Sequence, residues 1–139
     1  MAFQFEPSVM WDSVPVLLTG IKLTIIITVV GLVFGFALGA AAGLLKLSRN
    51  ALLRRLAGAY VESIRGTPLM VQVMFLYFGL PLLLGTRIPP LTAGVTAIAV
   101  NSGAYIAEVV RGAIQSMDAG QMEAARSMTL RTGVHFVPL

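Results

Sequence analysis

The sequence predicts an all-α integral membrane protein with three transmembrane helices, and three observations predict it. Hydrophobic residues make up 57% of the 139-residue chain and charged residues 12%, about half the share of roughly 25% usual in soluble domains. Three stretches carry no charge: Leu23 to Leu45, Gly66 to Thr86 and Ile88 to Ala107. Each is long enough for the roughly 20 apolar residues that cross a bilayer core. Finally, the basic residues flank these runs instead of interrupting them. A small soluble domain leaves much of its surface wet and could not hide so much apolar area. Lipid must be the solvent.

The elements follow in order. Residues 1–21 contain Glu6 and Asp12 but no Lys or Arg, and the apolar run after them exceeds the short core of a signal peptide. A retained first span is predicted over about 21–45, with Trp11 placed before it as an interfacial anchor. In the next segment Leu53, Leu56, Tyr60 and Ile64 recur at helical spacing while Arg54 and Arg55 project elsewhere. This predicts an amphipathic surface helix over about 51–64. Pro68 follows the Arg65-Gly66-Thr67 turn, where it can occupy the first turn of a second span, about 67–86. A third span covers about 89–110. With the N-terminus outside, Lys46, Arg49, Arg54, Arg55, Arg65, Arg111, Arg126 and Arg131 lie inside, against Lys22 and Arg87 outside. The positive-inside rule selects this orientation.

Two constellations stand out within the spans. Gly31, Gly35, Gly39 and Gly43 repeat every fourth residue, a ladder that strips side chains from one helical face so that another helix can approach closely. On the third span Asn101, Tyr105 and Glu108 share a face by their i, i+4, i+7 spacing, and polar groups at this depth usually face a bundle interior or a water-filled path. Asn101 and Tyr105 are candidate path residues. Glu108 is a third, although a simple i, i+3 pair with Arg111 at the membrane interface is the somewhat better explanation. Gln72 and Thr67 are weaker candidates on the second span.

Several chemistries are excluded. The chain has no cysteine and one histidine, His135, so no catalytic set or metal site is predicted. It lacks the GxxxxGK[ST] phosphate cradle, and its basic residues do not form a nucleic-acid patch. In the tail, Asp118-Ala119-Gly120 reads as a turn before Gln121-Met122-Glu123-Ala124-Ala125-Arg126-Ser127-Met128, a run of good helix formers. Glu123 near its start suits the helix dipole. From the residues alone, a docking helix and a frayed tail are equally open.

Four pieces, in order, resemble the permease subunits of ATP-binding-cassette importers for polar amino acids, of the type I importer fold. Leu17-Leu18-Thr19-Gly20, Thr24, the glycine ladder and Gly43-Leu44-Leu45-Lys46-Leu47-Ser48 resemble the family's first helix. The stretch from Tyr60 through Arg65-Gly66-Thr67-Pro68 to Gln72, running into Tyr77-Phe78-Gly79-Leu80-Pro81, is similar to its second-helix signature. Ala104-Tyr105-Ile106-Ala107-Glu108 to Ile114 resembles the stretch leading to the cytoplasm, and Gly120-Gln121-Met122-Glu123-Ala124-Ala125 resembles the opening of the "EAA" loop.

The resemblance implies an EAA-like coupling loop over about 116–135, in which Gly120, Glu123, Ala124, Ala125 and Arg126 sit in a cleft of a separate cytoplasmic ATPase. It also implies a second permease subunit (identical or different), an extracytoplasmic amino-acid-binding protein and a bacterial inner-membrane location. ATP and Mg would be bound by the partner ATPase, with no cofactor in this chain. Thr129 stands where the family has a glycine, and the chain ends at Leu139 where the family continues through two more spans, so a shortened permease is expected. A small three-helix structural or adaptor protein, or a truncated permease without function, is the alternative.

Overall fold

The computed structural model describes residues 7–116, and all their regular structure is helical. The segments are α1 (Pro7–Lys46), α2 (Ala51–Arg65), α3 (Leu69–Met74), a π-helical turn (Phe75–Gly79), α4 (Leu80–Leu84) and α5 (Pro90–Gln115). The EAA-like segment, with Gly120, Glu123, Ala124, Ala125 and Arg126, lies outside the described residues.

Among the described residues α1 runs from Pro7 for 40 residues through Pro15, so the helix extends beyond the span predicted over about 21–45. At 1.5 Å per residue this is about 60 Å, roughly twice the hydrocarbon thickness of a bilayer. Ordinary tilt cannot absorb that excess, so one end of α1 stands clear of the hydrocarbon core. The first turns carry Trp11, 77% exposed.

The packing of α1 is confined to one stripe. Gly31, Gly35, Gly39, Ala42 and Gly43 are buried while the residues around them are exposed. A Cβ at Gly31 would lie 2.7 Å from the Ile98 side chain, at Gly39 2.6 Å from the Gly103 carbonyl, and at Gly43 2.8 Å from the Ala107 carbonyl. At Gly35 it would collide with the Ser102 hydroxyl. Each missing side chain is a place where α5 sits. The facing α5 positions, Ala99, Gly103 and Ala107, are small and also repeat every fourth residue, so both backbones contribute to the approach.

The register decides direction. Higher-numbered glycines of α1 meet higher-numbered residues of α5, so the two helices run parallel. Two parallel spans need a returning crossing between them. Leu69–Leu84 supplies it, turning 103° away from α2 and covering about 24 Å. The π turn answers Pro81: the Leu80 N–H bonds to Phe75 five residues back, and the widened turn accommodates a ring that would strike the preceding turn of an α-helix. α4 ends at Gly85 with φ 66°, a left-handed conformation suited to glycine. α5 then opens with Pro90 in its first turn.

α2 departs from the expected stripe. Asn50 caps it, its Oδ1 accepting from the Leu52 N–H at 2.9 Å. The buried positions are Ala57 and Val61, with Tyr60 packed beside Val61, Ala42 and Ala107. Leu53 and Leu56 are exposed. Small residues win the inner face because α2 lies close on the α1–α5 pair, and the leucines of the predicted stripe turn outward.

Gly39→Ala should destabilise the bundle by about 1–3 kcal/mol, the usual cost of overpacking. Gly20→Ala, where an added Cβ meets nothing within 4 Å, should be neutral. Thermal unfolding of both variants in detergent, followed by far-UV circular dichroism, checks the contrast.

Candidate functional site

Asn101, Tyr105 and Glu108 lie on α5, and the fold gives each a different neighbourhood. Tyr105 is 51% exposed, with the Arg65 guanidinium 5.3 Å from its ring centroid, within cation–π range. Asn101, one turn earlier, is half-buried and makes no side-chain hydrogen bond among the described residues. An amide without a side-chain partner among the described residues therefore lies one helical turn before an aromatic ring that carries a cation over its face. Such groups can recognise a small polar solute, the amide by hydrogen bonds and the guanidinium by pairing with a carboxylate.

Glu108 points toward α1. Its Oε1 pairs with Lys46 Nζ, while Oε2 accepts from Arg111 Nη2 at 2.7 Å and Nε at 3.0 Å. Arg111 Nη1 also donates to Gln115 Oε1 at 2.6 Å. The spacing predicted the Arg111 pair. The Lys46 contact is a tertiary one, made because parallel packing brings the last residue of α1 level with Glu108. Lys46 and Glu108 are mostly covered and Arg111 about one-third exposed, so the trio ties the two helix ends more firmly than a surface pair would.

Gln72 lies away from this face and is 8% exposed. Its Nε2 donates to the Ile64 and Thr67 carbonyls, both at 2.9 Å, closing the bend between α2 and α3. Thr67 works on the same bend, its hydroxyl donating to the Ser63 carbonyl at 2.8 Å. Gln72 Oε1 is buried with no partner among the described residues. These contacts explain both residues by the geometry of the turn.

Two contributors were not singled out from the sequence. The Tyr60 hydroxyl donates to the Val100 carbonyl at 2.7 Å, pinning α2 across α5, and burial pushes its pKa above the ordinary tyrosine range, so it remains a donor. Arg65 reads in the sequence as an inside cation and as part of the turn before Pro68, with no sign of the tyrosine it covers. The signals that could have found them are weak: an aromatic on the inner edge of an amphipathic helix, and an arginine placed just before a turn that bends the chain through 103°. Among the described residues no group of His, Cys, Asp or Glu could hold a metal ion.

A long apolar helix locked in parallel to a second one, a returning span and a polar face on the second helix define a multi-pass membrane component. The chain belongs to the family of binding-protein-dependent transport system inner membrane components, matched over residues 31–134. It is similar to the glutamine transport system permease protein GlnP of Escherichia coli strain K12, 44% identical over 91% of this chain and 58% of the relative. The arginine transport system permease protein ArtQ of Bacillus subtilis strain 168 is 40% identical over 87% of this chain and 55% of that protein. This chain therefore spans a little over half the length of these curated relatives. Among solved structures, an amino acid ABC transporter with histidines superposes with a TM-score of 0.82 at 39% identity, over 91% of this chain and 58% of the other. The inward-facing MetNI methionine ABC transporter superposes with a TM-score of 0.67 at 27% identity, over 93% and 63%.

Glu108→Gln should cost about 1–3 kcal/mol, because it leaves Lys46 and Arg111 facing each other without the carboxylate between them. Adding Lys46→Gln should recover part of that loss. A double-mutant cycle on thermal stability in detergent measures the coupling, and strict additivity of the two substitutions would contradict it.

Proposed function

We propose that the chain forms membrane-spanning permease structure of an ATP-binding-cassette importer for polar amino acids in the bacterial cytoplasmic membrane. The observation that carries this reading is the superposition, over 91% of the chain, on an amino acid ABC transporter at 39% identity. The permeases named for glutamine and arginine support the substrate class. The geometry adds a physical reason. Glycine packing against α1 uses one side of α5, which leaves Asn101 and Tyr105 on another, with Arg65 of α2 over the Tyr105 ring, as a polar face for a solute path.

In this reading the N-terminus is outside. α2 lies on the cytoplasmic surface, and a second permease subunit, identical or different, completes the path across from Asn101 and Tyr105. Gly120, Glu123, Ala124, Ala125 and Arg126 form a coupling helix against a cytoplasmic ATPase that binds ATP and Mg, and an extracytoplasmic binding protein delivers the amino acid. The coupling segment follows α5, whose last turns are tied to α1 by the Lys46–Glu108–Arg111 trio. A push at the tail would therefore move both helices together.

With the partner ATPase co-expressed, Glu123→Lys or Ala125→Asp should reduce co-purification of the ATPase by about tenfold, equivalent to roughly 1.4 kcal/mol. Asn101→Ala should leave that association intact and reduce uptake of labelled glutamine in cells carrying the complete importer. Equal recovery of the ATPase with every variant would remove the coupling assignment, and unchanged uptake with Asn101→Ala would remove the path assignment.

A further inference from the structure

Where α1 ends and α2 folds back, an open groove of about 350 Å3 is lined by Lys46, Arg54, Arg55, Gly58, Ala59 and Glu62. We propose that this groove seats the phosphodiester headgroup of an anionic phospholipid.

The first argument is charge. Glu108 is shared between Lys46 and Arg111, so two cations meet one carboxylate and the trio keeps one positive charge at the groove's edge. Arg54 spends a single N–H on the Ser48 carbonyl at 3.3 Å, and the Arg55 guanidinium makes no hydrogen bond or ion pair among the described residues. Glu62 is the one acid in the lining, so the groove is net positive. Arginine forks match phosphate oxygens in a two-point geometry, and their weak hydration suits a site at the membrane edge. The space above Gly58 is open: a Cβ there would meet only Glu62 Oε1, at 3.9 Å.

The second argument is the shape of α2 as an interfacial helix. It has three edges at 100° per residue. Ala57 and Val61 face the protein, the groove residues Arg54, Arg55, Gly58 and Glu62 form a polar edge, and Leu52 and Leu56 form an apolar edge next to Arg55, 64% and 60% exposed. A helix with adjoining basic and apolar edges sits at the boundary between headgroups and acyl chains. One anionic lipid satisfies both edges, its phosphate on the arginines and its chains over the leucines. A water-borne acidic protein would cover the arginines and leave the leucines bare, so the lipid is the better fit.

Native mass spectrometry of the full chain in a non-ionic detergent, titrated with dioleoyl phosphatidylglycerol, dioleoyl phosphatidylcholine or glycerol phosphate, tests the assignment. Phosphatidylglycerol should bind at least about tenfold tighter than phosphatidylcholine. R54Q/R55Q should weaken it by about 25-fold, at roughly fivefold per basic residue near an anionic headgroup. R54K/R55K should retain most of the affinity and R87Q all of it, with far-UV circular dichroism confirming that every variant is helical. Equal binding of the two lipids, or an unchanged R54Q/R55Q, would overturn the proposal. Displacement of phosphatidylglycerol by equimolar glycerol phosphate would show a free-anion site and overturn it as well. Unchanged lipid binding in R54Q/R55Q together with loss of ATPase co-purification would reassign the groove to a protein partner.

Discussion

The structure depends on how closely two backbones can approach in a solvent that does not push them together. Lipid tails are as apolar as leucine, so a helix pair in a bilayer gains little from hiding hydrocarbon and must be held by dispersion contacts and polar ties. Dispersion falls steeply with separation. The glycines of α1 remove that separation: side chains and carbonyls of α5 occupy the places where four Cβ atoms would be. Cα–H groups facing carbonyls at this range can add weak hydrogen bonds to the contact. Because α5 answers with Ala99, Gly103 and Ala107 in the same four-residue step, the contact specifies a register as well as a pair.

That register propagates. Parallel packing forces a returning span between α1 and α5, and it sets Lys46 level with Glu108. The ionic trio then closes the end that the glycines leave open. α2 is fixed against this pair in turn, by Val61 in the junction with Ala42 and Ala107, by the Tyr60 bond to Val100 and by the Gln72 amide at its exit. Held this way, α2 brings Arg65 over Tyr105 and turns Arg54 and Arg55 to the groove. The polar features around α2 and the end of α5 thus follow from one apolar contact.

Most large apolar side chains on the described helices stay exposed, from Val9 along α1 to Leu84. In water this would be a catastrophe of patches. In a bilayer it is the ordinary surface of a helix bundle, and among the described residues it leaves only alanines, Val61 and Gln72 as a buried core outside the glycines. Specificity consequently resides in small residues and a few polar bonds. The Gln72 Oε1 atom, buried and unpartnered among the described residues, shows that this core is not wholly apolar; its companion nitrogen secures the bend.

The sequence by itself determined the class of protein, because charge-free runs and flanking basic residues are dictated by the dielectric of the membrane and need no knowledge of the partner helices. The glycine ladder was legible for the same reason, since a four-residue period of missing side chains has meaning only as a close-packed face. Tertiary structure decided what the ladder packs against, which is why the small-residue repeat on α5 and the Lys46 partner of Glu108 were not anticipated. It also decided the length of α1: Asp12 lies inside the helix and marks no boundary, and the uncharged run starts well inside it. On α2, residue size and not hydrophobicity chose the inner face, Ala57 and Val61 over Leu53 and Leu56, since lipid accepts leucine as readily as a protein core does. Gln72 and Thr67 read as membrane-depth polar groups in one dimension and became parts of a turn in three, because only the folded chain places the Ile64, Thr67 and Ser63 carbonyls within their reach.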